Sequence, residues 1–330
     1  MSGLGIVGTG SHLPDREVSN KEVAEWCGVT AEWIEERTEI LTRRYAAPDE
    51  ATSDLAARAA TRALRAADIT ADQLDYLIVS TSTGDAPQPP TAYLVQNAIG
   101  ASRAACFDIN VVCSGFVYGL EVARSLLAGR PRGHALVIGA DIYSRILDHG
   151  DHRTAALLGD GAGAAVVGPV AEGYGFLGTE LSSDGAAHHL IRVEAGGSRN
   201  PSTARTLADG GHFFRMDGRA VRDFVMDNVP PVLDRLMQRA GVRADDIDHL
   251  VPHQPNGVLL RRLVERTGIT RAHTHRTLER YGNVGSASVP VALDDACRTG
   301  RIHDGDLTLL AGFGGGMSVG ATLMRWQESS

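Results

Sequence analysis

The chain repeats itself, and that repetition narrows its fold more than any other feature. The segment Ala71-Asp72-Gln73-Leu74-Asp75-Tyr76-Leu77 returns 173 residues later as Ala244-Asp245-Asp246-Ile247-Asp248-His249-Leu250. Asn110-Val111 and Asn283-Val284 stand at the same offset, as do Leu120 and Leu293. A register held over so long a stretch argues for duplication rather than for the general likeness of α/β units. Within each copy helical and strand patterns alternate. Leu55–Ala67 and Phe116–Leu127 read as helices, and Leu74–Ser80 and Ala135–Gly139 as buried strands. Helices Val232–Ala240 and Val289–Arg298 and strands Ile247–Pro252 and Leu307–Leu310 continue the alternation. A chain of 330 residues exceeds the usual single-domain size, so two α/β halves are expected, residues 1–170 and 171–330.

Two such halves would meet about a pseudo-two-fold axis, with equivalent element ends at the centre, where α/β folds bind ligands. Three chemically capable residues fall at those ends. Cys113 follows Asn110 at the start of a helix, Asn283 starts the equivalent helix, and His253 ends the strand equivalent to Leu74–Ser80. A thiol at a helix N-terminus faces unpaired N–H groups, so its pKa is expected to fall. A histidine there can exchange a proton or donate a hydrogen bond near neutrality. A neutral His–Asn pair suits donation to one carbonyl oxygen, as an enolate requires. Taken singly, a buried cysteine, a strand-end histidine and an N-cap asparagine are ordinary structural residues; their company changes the reading. The run Phe313-Gly-Gly-Gly-Met-Ser-Val-Gly permits close backbone approach and could aim an N–H into the site.

Other chemistries find little support. Cys27, Cys106 and Cys297 read as inert, and the four cysteines show neither zinc spacing nor a disulfide framework. His188, His189, His273 and His275 lack partners at metal-ligand spacing, so no metal is expected. The Gly159–Ala164 run lacks the strand–turn–helix order of a dinucleotide fingerprint and reads as close packing. A net charge of -8 argues against a nucleic-acid or anionic-membrane surface. Residues Ala155–Val170 are apolar but interrupted by Asp160, and Met1–Pro14 carries no signal-peptide pattern, so a cytoplasmic protein is expected.

Together these residues resemble the β-ketoacyl-acyl carrier protein synthase III family of the thiolase superfamily. The resemblance rests on Val7-Gly-Thr-Gly, Trp33-Ile-Glu-Glu-Arg-Thr, Cys113-Ser-Gly-Phe, Gly159-Asp-Gly-Ala-Gly-Ala, His253-Gln-Pro-Asn, Gly282-Asn-Val-Gly-Ser-Ala-Ser and the terminal glycines. It implies a five-layered αβαβα thiolase-like fold, a homodimer, and no cofactor beyond coenzyme A thioesters as substrates. It implies that Cys113 takes an acyl group from an acyl-CoA. His253 and Asn283 would then promote decarboxylation of malonyl-ACP or malonyl-CoA, with the N–H groups of Cys113 and Gly315 as oxyanion hole. Trp33, Arg37 and Asn256 match coenzyme A contacts, and His152 replaces an arginine that sandwiches the adenine.

The sequence departs from the family pattern at Glu39, where a glycine is usual, at Val258, where an arginine is common, and at Asp223, where a lysine often sits. Loss of positive contacts should weaken attraction for an acidic carrier protein. Arg261, Arg262 and Arg266 offer a substitute patch, although a solvated helix face is the simpler reading. The departures fit a specialised member, for example one in polyketide metabolism, beside fatty-acid initiation. An alternative keeps the acyl-cysteine and passes the acyl group to a hydroxyl, amine or carrier thiol without decarboxylation. A non-catalytic partner subunit would lack the nucleophile. The acyl chain is expected against Pro89–Tyr93 and Met216–Arg222.

Overall fold

A computed structural model describes residues 3–328, so residues 1, 2, 329 and 330 of the expected halves lie outside the described residues. Ten strands build two sheets. The first contains β1 (Gly3–His12), β2 (Tyr76–Ser80), β3 (Ala105–Ile109), β4 (Ala135–Ile142) and β5 (Asp160–Val170). The second contains β6 (Gly175–Ser183), β7 (His249–Pro252), β8 (His273–Thr274), β9 (Leu307–Gly314) and β10 (Ser318–Arg325). The strand order is β1-β5-β4-β2-β3 in one and β6-β10-β9-β7-β8 in the other. The pairing senses agree as well. Three strands of each sheet run parallel, with antiparallel pairs on one side.

The helices complete five layers. Helices α1 (Thr52–Ala66) and α2 (Thr91–Ile99) cover the outside of the first sheet, and α4 (Gly218–Ala240) and α5 (Gly257–Thr267) the outside of the second. Helices α3 (Gly115–Leu127) and α6 (Ser288–Arg298) lie between the sheets and touch both. Their sequences say why. Phe116, Val117, Leu120, Ala123 and Leu127 follow helical spacing and are all buried, as are Val289, Ala292, Leu293 and Ala296. Fully burying a side chain such as Leu120 or Phe116 contributes about 1.5–3 kcal/mol, so this central layer is a main stabilising interface.

The offset survives at the level of elements. Residues Ala71–Gln73 and Ala244–Asp246 form matching 3₁₀ turns, as do Val112–Ser114 and Gly285–Ala287 immediately before α3 and α6. One expectation is corrected: the helix expected from Val232 begins at Gly218 and runs through Pro230 and Pro231. Interior prolines normally break a helix. Here Val225, Val229, Pro230, Val232, Leu233 and Leu236 form a buried stripe against the second sheet, and that packing holds the helix through the prolines. Among the described residues no helix is long and apolar enough to cross a membrane.

Candidate active site

Cys113 sits in the middle of the 3₁₀ turn that links β3 to α3. The residue before it, Val112, has φ of 47°. A β-branched side chain in that region costs on the order of 1–3 kcal/mol. The equivalent position in the second half is Gly285, with φ of 59°, where the same bend is free of that cost. The strained turn is pinned from the other half of the molecule. Ser114 Oγ hydrogen-bonds with Ser318 Oγ at 2.9 Å, and Val112 packs against Gly315. Strand β9 also passes close behind the sulfur. A Cβ added at Gly314 would stand 2.8 Å from Cys113 Cβ and 3.1 Å from Sγ. The glycine run therefore lets the Gly314–Gly315 backbone run past the thiol.

The thiol is 7% exposed. Burial, and secondarily the Asp141 carboxylate, push its pKa well up; a backbone N–H opposes them with less effect. This overturns the expected lowering. The regular helix starts only at Gly115, two residues past the sulfur, and desolvation outweighs the helix end.

His253 follows β7, with its N–H donating to Ala311 O at 2.7 Å and its ring edge-on to Phe313 at 5.4 Å. It is 3% exposed, and burial holds it down at about 3, so the imidazole is neutral at physiological pH. Nδ1 is sealed without a partner, leaving Nε2 as the nitrogen open to the cavity.

Asn283 is fixed by its backbone and by its own side chain. Its N–H donates to Leu157 O at 2.8 Å, and its carbonyl accepts from Gly159 N at 2.9 Å. Its Oδ1 accepts from Gly285 N at 3.0 Å, which leaves Nδ2 as the donor toward the cavity. The following turn is clamped by Asp141, a residue the sequence reading missed. Asp141 accepts from Ser286 N and Ser286 Oγ, both at 2.8 Å, and from Ser82 N and Thr83 Oγ1, both at 2.9 Å. One buried carboxylate thus ties the Asn283 loop of the second half to the first. The available signal was a charge inside an otherwise apolar strand, Ala135–Ile142.

Cys113, His253 and Asn283 line a single cavity of about 540 Å³, and so do Trp33, Arg37, His152 and Asn256. Trp33 and His152 meet edge to face at 5.3 Å. Asn256 caps α5, its Oδ1 accepting from Leu259 N at 2.9 Å. Gly314 borders the cavity and Gly315 lies directly behind it on Val112. Met216, Gly218, Val221 and Arg222 line the wall, but Pro89–Tyr93 do not. The start of α2 is held outward instead, Thr91 N and Ala92 N each donating to Asp108 at 2.7 Å beside the edge strand β3. Apolar walls, a nucleophile and two neutral donors equip the cavity for acyl chemistry at a thioester carbonyl.

Known proteins agree with that chemistry. Residues 107–185 match the family model for 3-oxoacyl-[acyl-carrier-protein] synthase III, and residues 237–326 match the model for its C-terminal part. The acetoacetyl CoA synthase NphT7 of Streptomyces sp. (strain CL190) is 50% identical over 97% of this chain and 98% of its own length. The β-ketoacyl-[acyl-carrier-protein] synthase III of Desulfitobacterium hafniense (strain DSM 10664 / DCB-2) is 42% identical, covering 99% of each chain. Among solved structures, the priming β-ketosynthase of the R1128 polyketide biosynthetic pathway superposes with a TM-score of 0.92 at 33% identity, covering 99% of this chain and 97% of that one.

Proposed function

The chain belongs to the 3-oxoacyl-[acyl-carrier-protein] synthase III family of acyl-transferring condensing enzymes, and on that premise we propose that it joins an acyl-CoA primer to a malonyl thioester with loss of CO₂. The observation that carries this reading is the meeting of Cys113, His253 and Asn283 in one cavity, with the imidazole kept neutral by burial.

Two stages follow. Cys113 Sγ attacks the primer's carbonyl carbon, the bond to the coenzyme A sulfur breaks, and the proton lost by the thiol ends on the departing thiol. Trp33, Arg37, His152 and Asn256 would hold the coenzyme A portion along the mouth. In the second stage the malonyl carboxylate leaves as CO₂, and its electron pair forms an enolate. The enolate oxygen accepts hydrogen bonds from His253 Nε2 and Asn283 Nδ2. Its α-carbon attacks the acyl-cysteine, the N–H groups of Cys113 and Gly315 receive the tetrahedral oxyanion, and the Cys113 sulfur departs and regains a proton from solvent. The passage of the Gly314–Gly315 backbone beside Sγ supports that oxyanion hole.

The same proposal places the enzyme in the cytoplasm as a homodimer, without a metal or redox cofactor. Four free cysteines fit a reducing compartment. Strand β3 is an open sheet edge beside exposed Tyr93 and Leu94, a surface suited to a second copy. The shared strand order supports residues 1–170 and 171–330 as the duplicated halves. Fatty-acid initiation and polyketide priming both use this reaction.

Asn283→Ala separates condensation from plain acyl transfer. Condensation should fall by about 10²–10³ while acyl loading of Cys113 stays within a few-fold, as for loss of one oxyanion-type donor. Condensation at the parental rate would remove the enolate role.

A further inference from the structure

A buried arginine stands behind the Asn283 loop. The short strand Thr42–Tyr45 pairs antiparallel with Arg16–Ser19, and its side chains alternate between the surface and the interior. Arg44 faces outward and pairs with Glu17 at 2.8 Å. Arg43 faces inward and is 0% exposed. Its hydrogen bonds go to neutral acceptors, Nη1 donating to Asn20 Oδ1 and Nη2 to Ala156 O, both at 2.8 Å. Among the described residues it forms no ion pair. Burial lowers its pKa to about 10, with Tyr45, Cys27 and Glu22 opposing, so the guanidinium stays charged at neutral pH. An interior charge without an acid is costly, so stability alone does not explain an arginine here.

The guanidinium holds the segment that in turn holds Asn283. Ala156 O is its acceptor, and the next residue, Leu157, accepts Asn283 N–H at 2.8 Å. Two residues further on, Gly159 N–H donates to Asn283 O at 2.9 Å. The arginine stem lies against the same loop, since a Cβ added at Gly159 would stand 3.1 Å from Arg43 Cβ and one at Gly282 3.5 Å. The far end of the guanidinium is fixed as well. Asn20 Nδ2 donates to Ile40 O at 2.6 Å, which keeps Oδ1 turned to Arg43.

Cys113 and His253 are anchored elsewhere. The thiol turn is pinned by Ser318 and Gly315, and the His253 backbone by Ala311. We propose that Arg43 is a positioning residue for condensation, fixing the Ala156–Gly159 segment and through it the aim of Asn283 Nδ2. The proposal rests on the enolate role of Asn283 given above and adds the group that orients it. Methionine at this position keeps an apolar stem but removes both donors, and lysine keeps the charge while reaching one acceptor.

The test follows acyl loading of Cys113 and its discharge by a malonyl thioester as separate steps, in the parent, Arg43→Met, Arg43→Lys, Asn283→Ala and the double variant Arg43→Met/Asn283→Ala. Discharge by Arg43→Met should fall roughly ten- to a hundredfold while loading stays within about threefold, because only the amide is misplaced. Arg43→Lys should fall between Arg43→Met and the parent. In the Asn283→Ala background the arginine change should cost no more than about threefold further, since two residues acting through one group are not additive. An equal fall in loading and discharge, or the full loss repeated on top of Asn283→Ala, overturns the proposal. Should Arg43→Met fail to fold, the same cycle with Arg43→Lys decides it. If Asn283→Ala discharges at the parental rate, the enolate role fails and this inference with it; if only the arginine variants do so, this inference alone falls.

Discussion

Burial moves Cys113 and His253 in opposite directions, and both shifts favour the uncharged form. The thiol is pushed up and the imidazole down, so the resting pair at neutral pH is thiol and neutral imidazole rather than thiolate and imidazolium. A neutral imidazole can donate to an enolate over the whole physiological range, which an imidazolium-assisted thiolate mechanism would not require. The pH dependence of alkylation reads this directly. Iodoacetamide labelling of Cys113 should accelerate about tenfold per pH unit from pH 7 to 9, following the thiolate fraction. A plateau below pH 8 would show a thiol activated by the helix end instead. Cys113, His253 and Asn283 stood out in the sequence because each falls at an element end matched by the offset, and the structure brings the three to one cavity. The direction of the thiol shift was not legible there, because desolvation depends on Phe313 and Gly314 closing over the site from a distant part of the chain.

At the scale of elements, the nucleophile turn is the part under stress. Val112 takes a conformation for which its counterpart is glycine, and β9 holds it by approaching without side chains. Gly314→Ala should therefore displace the sulfur while leaving the strand intact, since Gly314 needs no left-handed backbone. A misplacement of about 1 Å costs on the order of 10² in rate, so acylation of Cys113 by an acyl-CoA should fall by roughly that factor with the circular-dichroism spectrum unchanged. Loading at the parental rate would show that the approach of β9 does not position the thiol. The sequence showed strand and helix interiors through their apolar periodicity, but not where every element ends. Helix α4 extends past two prolines because the second sheet buries its stripe, and the Pro89–Tyr93 segment points outward because Asp108 caps α2. Both outcomes depend on tertiary partners.

Over the whole molecule, the two five-stranded sheets share one strand order but differ in what surrounds them. The offset of equivalent segments was enough to anticipate two similar α/β units with matching sheets, and the family resemblance implied the five layers. It gave no sign that Asp141 would bridge the halves or that Glu39 would cross to α5, since each contact joins residues far apart in sequence. The second sheet also carries a histidine cluster. His275 meets His249 at 3.1 Å, and His249 meets Asp306 at 2.9 Å. Burial, followed by His273, His249 and Arg301, holds His275 down at about 3. The unfolded chain takes up that proton near pH 6.5 and the folded one does not. This contribution is therefore complete above pH 6.5 and is lost as pH falls toward 3. Between pH 6 and 4 the parent should lose about 1.4 kcal/mol per pH unit more than His275→Gln in urea denaturation. Parallel pH profiles would place the proton elsewhere.

The central claim is that one pocket loads an acyl group on Cys113 and discharges it onto a decarboxylated malonyl thioester. Intact-protein mass spectrometry with peptide mapping, across acyl-CoA primers and then with malonyl thioester added, measures both events in a single turnover. The account predicts an adduct on Cys113 that disappears with CO₂ release in the parent and persists in Asn283→Ala. An adduct on another residue, or discharge from Asn283→Ala as fast as from the parent, would contradict it.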